Sequence, residues 1–70
     1  MNNIREIKTG VIGVGSMGKN HARVYSEISN LVGVADLDSQ QGQNVASNFG
    51  CSYFENYEDL LPLVDAVSIE

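Results

Sequence analysis

Four short apolar runs alternate along the chain with stretches in which apolar residues recur every three to four positions. Val11, Ile12 and Val14 lie in a run over 7–14 that ends in glycines, the pattern of a buried parallel strand. From Met17 the spacing changes. Met17, His21, Val24 with Tyr25, and Ile28 make one face, while Lys19, Asn20, Arg23, Ser26 and Glu27 fall on the other, so an amphipathic helix is predicted to close near Ser29 and Asn30. The run over 31–35 predicts a second strand ending at Asp36. Asp38 and Ser39 can cap a second helix over 40–49, weakened by Gly42 and Asn44 and closed by Gly50 at C′. A third strand is expected over 51–54. Asn56 then starts a helix of one or two turns that Pro62 stops, and a fourth strand follows over 64–69.

The order β-α-β-α-β-α-β with short links is that of the α/β class. It predicts the first portion of a Rossmann, doubly wound, parallel sheet, with right-handed crossovers, helices on both faces and strand order 3-2-1-4. The chain has 70 residues, 43% of them hydrophobic and 19% charged, which suits one small domain and neither disorder nor a fibrous class. A chain of this size buries only about 60% of its unfolded surface, so marginal stability is expected. It ends at Glu70, where the fourth strand should release a loop, so the expectation is residues 1–70 as the N-terminal part of a dinucleotide-binding domain without a second, substrate domain.

Nine acidic against four basic residues give a net charge of −5, which repels polyanions and argues against a nucleic-acid partner. Cys51 stands alone, so no internal disulfide or structural metal site is expected, and the thiol reads as a small buried hydrophobe in a reducing compartment. The N-terminus lacks the basic-then-apolar pattern of a signal peptide, and no apolar run approaches the ~18 residues of a membrane span. A cytoplasmic location without membrane contact is the expectation.

The chemistry gathers at Gly13-Val14-Gly15-Ser16-Met17-Gly18. Gly13 would turn the chain out of the first strand, Gly15 would let backbone approach a pyrophosphate, and Gly18 would let the helix lie close to the strand. The helix that opens here offers unbonded N–H groups, Ser16 and Met17 among them, and a positive dipole end, so an anion can be held without a basic side chain. Asp36 follows Gly18 by 18 positions, at the end of the second strand. Its carboxylate can accept from both ribose hydroxyls of an adenosine and would repel a 2′-phosphate, and no Arg or Lys follows that strand, so NAD is favoured over NADP. The plainer readings are a structural turn for the loop and a helix cap for Asp36. Asp38 reads as a cap and His21 as a buried, hydrogen-bonded structural residue. Lys19 and Arg23 read as solvated charges, with Arg23 and Glu27 spaced for an i, i+4 pair. Glu55, Glu58 and Asp59 cluster around a helix start, where they favour its dipole. No catalytic pair is visible.

Several segments resemble the N-terminal part of the Gfo/Idh/MocA oxidoreductases: residues 11–22 with the pattern G-x-G-x-M-G-x-x-H-A, then Val34-Ala35-Asp36-Leu37-Asp38, Tyr57-Glu58-Asp59-Leu60-Leu61 and Asp65-Ala66-Val67-Ser68-Ile69. The resemblance implies a two-domain, usually oligomeric enzyme that moves a hydride between a nicotinamide cofactor and a sugar, cyclitol or sugar-nucleotide hydroxyl. By position, Gly13, Gly15, Ser16 and Met17 would line the pyrophosphate, with Gly18 in the same cofactor-binding loop, Asp36 would hold the adenosine ribose, Leu37 would lie near adenine, and Ser68, Ile69 and Glu70 would approach the cofactor from the fourth strand. The family's catalytic lysine and histidine fall beyond Glu70. No catalytic residue is therefore expected within this stretch, which alone should be inactive. Two other functions share the loop and the acid: a non-catalytic nucleotide-sensing Rossmann module, and a homodimerisation piece that kept the fold and lost the ligand.

Overall fold

A computed structural model describes residues 7–69, Ser16 and Met17 by their backbones alone. Strand β1 (Lys8–Ile12) leads through the glycine loop into helix α1 (Ser16–Ile28), and β2 (Asn30–Ala35) into α2 (Ser39–Phe49). Then come β3 (Ser52–Phe54), the single-turn helix α3 (Tyr57–Leu60), a 3-10 turn at Leu61–Leu63 and β4 (Ala66–Ile69). All strand pairs are parallel, and the sheet order is β3-β2-β1-β4, as the crossover pattern predicts. The first, third and fourth strands are shorter than their apolar runs. Pro62 sits at the start of the 3-10 turn and so lets the chain tighten after α3 before β4 begins.

Alternation places Val11, Val34 and Ser68 in one row across the sheet, with Tyr53 at its end. Val11 and Val34 are fully buried beneath α1 and α2, in a core with Val14, Ala22, Leu31, Val45 and Ala46. The register slips between Thr9 and Gly10, so β2 carries Val32 as an extra residue. That bulge lets Leu31 and Val34, an odd number of residues apart, both join the same core. On the opposite face Leu60 is fully buried against Gly10 and Gly33, which places α3 there.

The packed face of α1 differs from the predicted stripe. Gly18 and Ala22 are buried and Tyr25 packs on the core, while Val24 and Ile28 remain 39% and 43% exposed. Small residues win this face because they let the helix axis come close to the sheet, whereas a face centred on Val24 would hold it away. His21 is only half-buried. Arg23 and Glu27 form the expected pair at 3.7 Å, both side chains being more than half exposed. Cys51 is half-buried against the core, and desolvation pushes its thiol pKa up.

Both ends of α2 follow their predicted chemistry. Asp38 accepts from the Gln41 N–H at 3.1 Å, and Gly50 closes the helix at φ 67, ψ 34, a left-handed conformation that suits glycine. Gly42, expected to weaken the helix, is buried, and a Cβ there would run into the Tyr53 ring, so the position needs a glycine. Removing the cap in Asp38→Ala is expected to cost about 1 kcal/mol. For a chain of 70 residues that lowers Tm by about 4–8 °C, which a calorimetric melt would resolve.

Candidate cofactor site

Parallel strands deliver their carboxyl ends to one edge of the sheet, and the order reverses between β1 and its neighbours β2 and β4. That reversal point is where doubly wound sheets bind ligands. The glycine loop sits there. Gly13 has φ 86, a conformation that a side chain would strain, and its N–H donates to the Ala35 carbonyl at 2.7 Å. The turn is thereby pinned to the end of β2.

Val14 is held on both sides of its peptide. Its N–H donates to Asp36 Oδ2 at 2.9 Å, and its carbonyl accepts from Gln41 Nε2 at 2.9 Å. Asp36 Oδ1 accepts from the Asp38 N–H at 2.8 Å. Each carboxylate oxygen thus engages one amide and keeps a lone pair for another donor. Asp36 is half-buried and its backbone is anchored as firmly: its N–H donates to the Phe54 carbonyl at 3.2 Å, and its own carbonyl accepts from Tyr53 Oη at 2.7 Å. The acid is oriented from β3 and from the loop at once.

Gly15 is the N-cap of α1 and makes no side-chain cap bond, so the first-turn amides of the helix have no partner within it. The helix begins its own ladder with the Lys19 N–H on the Gly15 carbonyl at 2.8 Å. A Cβ on Gly15 would meet nothing within 4 Å, and its φ of −64 is open to any residue. Neither the backbone nor the packing of this chain requires a glycine at that point. A Cβ there would stand in open space at the positive end of α1, the setting in which a phosphate is held. This donor set fits the pyrophosphate of a dinucleotide.

Beside the loop, a cavity of about 560 Å³ opens over the ends of β1 and β2, lined by Ile12, Gly13, Asp36, Leu37, Asn56 and Tyr57 among others. Leu37 is 89% exposed and Tyr57 is 49% exposed, so two apolar side chains stand free in its wall next to the Asp36 carboxylate. That combination suits a flat apolar ring joined to a hydroxylated sugar. On the far side, Ser68 pairs with Val11 and Ile69 with Ile12, which brings the end of β4 beside the loop. Ser68 Oγ is hydrogen bonded to His21 Nδ1 at 2.7 Å, and Ile69 is 73% exposed. His21 is thus hydrogen-bonded, as expected, though less buried. Glu70 lies outside the described residues.

The structure places Gly13, Gly15, Asp36 and Leu37 around the loop at the carboxyl edge, Ile69 at the end of β4, Ser68 one position before it against His21, and Gly18 buried within α1, with the Ser16 and Met17 backbones at the helix start. Sequence reasoning missed Gln41, Tyr53 and Tyr57. Asp38-Ser39-Gln40-Gln41 has the spacing of a capping box, in which the glutamine would reach back to the cap residue. That amide is already bonded to Asp36, so the glutamine crosses to Val14 instead. No group of three or more metal-ligating side chains occurs among the described residues, and no described helix is long and apolar enough to cross a membrane.

A family model described as the oxidoreductase family, NAD-binding Rossmann fold, matches residues 7–70. UDP-N-acetylglucosamine 3-dehydrogenase from Acidithiobacillus ferrooxidans is 46% identical over 63 residues, 90% of this chain and 20% of that protein. Its solved structure superposes with a TM-score of 0.89 at 45% identity, covering 91% of this chain and 21% of that one. Glucose-6-phosphate 3-dehydrogenase from Bacillus subtilis is 39% identical over 56 residues, 77% of this chain and 16% of that protein. A myo-inositol dehydrogenase from Lactobacillus casei, solved with NAD(H) and myo-inositol, matches with a TM-score of 0.82 at 28% identity, over 93% of this chain and 21% of that one. The chain spans about a fifth of the length of these relatives. With its parallel sheet, glycine loop and acid in the matching order, the chain belongs to the Gfo/Idh/MocA oxidoreductase family and carries its NAD-binding Rossmann fold.

Proposed function

We propose that this chain is the NAD-binding part of a dehydrogenase that transfers a hydride between the nicotinamide cofactor and a hydroxyl of a sugar, cyclitol or sugar nucleotide. The observation that carries the reading is Gly15, a glycine that neither φ nor packing explains, set at the N-terminal amides of α1. A pyrophosphate against those amides accounts for it. In this reading Gly13 shapes the turn, Ser16 and Met17 present backbone to the phosphates, and Gly18 lets α1 lie close to the sheet. Asp36 accepts from the adenosine ribose with its remaining lone pairs, and Leu37 covers the adenine. Ser68, Ile69 and Glu70 flank the cofactor from β4.

When bound, the nicotinamide supplies the hydride chemistry, while the residues of this chain hold and orient it. The substrate class rests on the relatives, which are dehydrogenases named for a sugar nucleotide, a sugar phosphate and inositol. Calorimetric titration of NAD and NADP into the intact protein tests the cofactor part. NAD is expected to bind, and NADP at least about tenfold more weakly, a difference of about 1.4 kcal/mol from the repulsion of two anions. Asp36→Ala should weaken NAD by about tenfold or more and narrow that gap. Absence of heat with either nucleotide would refute the reading.

A further inference from the structure

Tyr53 stands at the end of the cross-sheet row, in register with Val34, and its ring lies over Gly42 of α2. Its hydroxyl donates to the Asp36 main-chain carbonyl at 2.7 Å. Three constraints therefore meet on one side chain. The strand sets its direction, the missing Cβ at Gly42 gives the ring its seat, and the hydroxyl reaches the residue that opens the loop after β2. A Cβ at Gly42 would also approach Asp36 Cβ to 3.4 Å, so α2, Tyr53 and Asp36 crowd one small volume. Desolvation, and then the carboxylates of Glu55, Asp36 and Asp38, push the Tyr53 pKa up, so the hydroxyl keeps its proton and remains a donor.

We propose that Tyr53 is a positioning residue for cofactor discrimination, fixing the Asp36 carboxylate in the place that accepts a ribose diol and rejects a 2′-phosphate. It acts through Asp36 and need not touch the cofactor. The Asp36 side chain is held by the Val14 and Asp38 amides, and its backbone is tied to β3 twice, by its own N–H on the Phe54 carbonyl and by the Tyr53 hydroxyl on its carbonyl. Without the Tyr53 bond the peptide that follows Asp36 loses its tie to the sheet, and the carboxylate can shift from an incoming ribose, which weakens NAD, and from an incoming 2′-phosphate, which lessens its exclusion. Global loosening of the fold would weaken both nucleotides alike. The proposal rests on the NAD reading above.

The test compares dissociation constants of NAD and NADP for the intact protein, Tyr53→Phe, Asp36→Ala and the double variant. Tyr53→Phe is expected to weaken NAD about three- to tenfold, the scale of one lost hydrogen bond, while NADP is unchanged or tighter, so the NAD preference falls. In the Asp36→Ala background the same change should alter neither constant, because the carboxylate it places is gone. Equal weakening of both nucleotides, or a full additional effect in the Asp36→Ala background, overturns the proposal while leaving the NAD site standing. Failure of the wild-type protein to bind NAD overturns both. If Tyr53→Phe does not fold, Gly42→Ala takes its place: it displaces the ring while keeping the hydroxyl, and an unchanged preference there is equally fatal.

Discussion

A Gly15→Ala protein is expected to melt where the wild type melts and to bind NAD about 100-fold more weakly, a loss of about 2.7 kcal/mol. Stability should hold because the new methyl meets no atom within 4 Å and the backbone at φ −64 accepts alanine. Two small effects oppose each other: alanine is a poorer N-cap than glycine, and it lowers the entropy of the unfolded chain by a similar amount, about 0.4–1 kcal/mol. Binding should fail because the methyl stands in the open space at the N-terminus of α1, where the proposed pyrophosphate approaches. Calorimetric melts alongside nucleotide titration separate the two effects. Unaltered NAD affinity would remove the loop from the site, and a large fall in Tm would mean that the glycine serves the fold.

Leu60→Ala is expected to have the opposite profile, costing about 3 kcal/mol of stability. Leu60 is fully buried, and it occupies room that two glycines leave on that face: a Cβ on Gly10 would come within 2.9 Å of its Cδ2, and one on Gly33 within 3.1 Å of its Cδ1. Truncation would open a cavity that the sheet cannot close, since neither glycine has a side chain to move inward. Helix α3 is a single turn of four residues, too short to persist without such an anchor. In a chain of 70 residues the loss is a large part of the total stability. Urea denaturation followed by far-UV circular dichroism would show the midpoint falling with the slope unchanged. A shift below about 1 kcal/mol would mean that the α3 face packs more loosely than described.

Much of this arrangement was legible along the chain because it depends on local spacing. Strand, glycine loop, helix and the acid at Asp36 follow one another within 29 residues from Lys8, and the crossover rule then orders the sheet. The caps at Asp38, Asn56 and Gly50 are equally local. Hydropathy misplaced the buried face of α1 because it ranks Val24 and Ile28 above Gly18 and Ala22, and only the close approach of helix to sheet reverses that ranking. Gly42 read as a weak helix residue because its reason is a tyrosine 11 positions away on a neighbouring strand. Tyr53 and Gln41 were silent for the same reason: each bonds to a residue beside it only in the folded chain, Tyr53 to Asp36 and Gln41 to Val14.

Val14, held by Asp36 at its N–H and by Gln41 at its carbonyl, has a consequence for the timing of recognition. A loop of free glycines would have to be ordered by its ligand, and that ordering would be subtracted from affinity. Here the ordering takes place when α2 and β3 dock, before any ligand arrives. The entropy of the loop is thus charged to the stability of the fold, and the loop amides wait in a preorganised array.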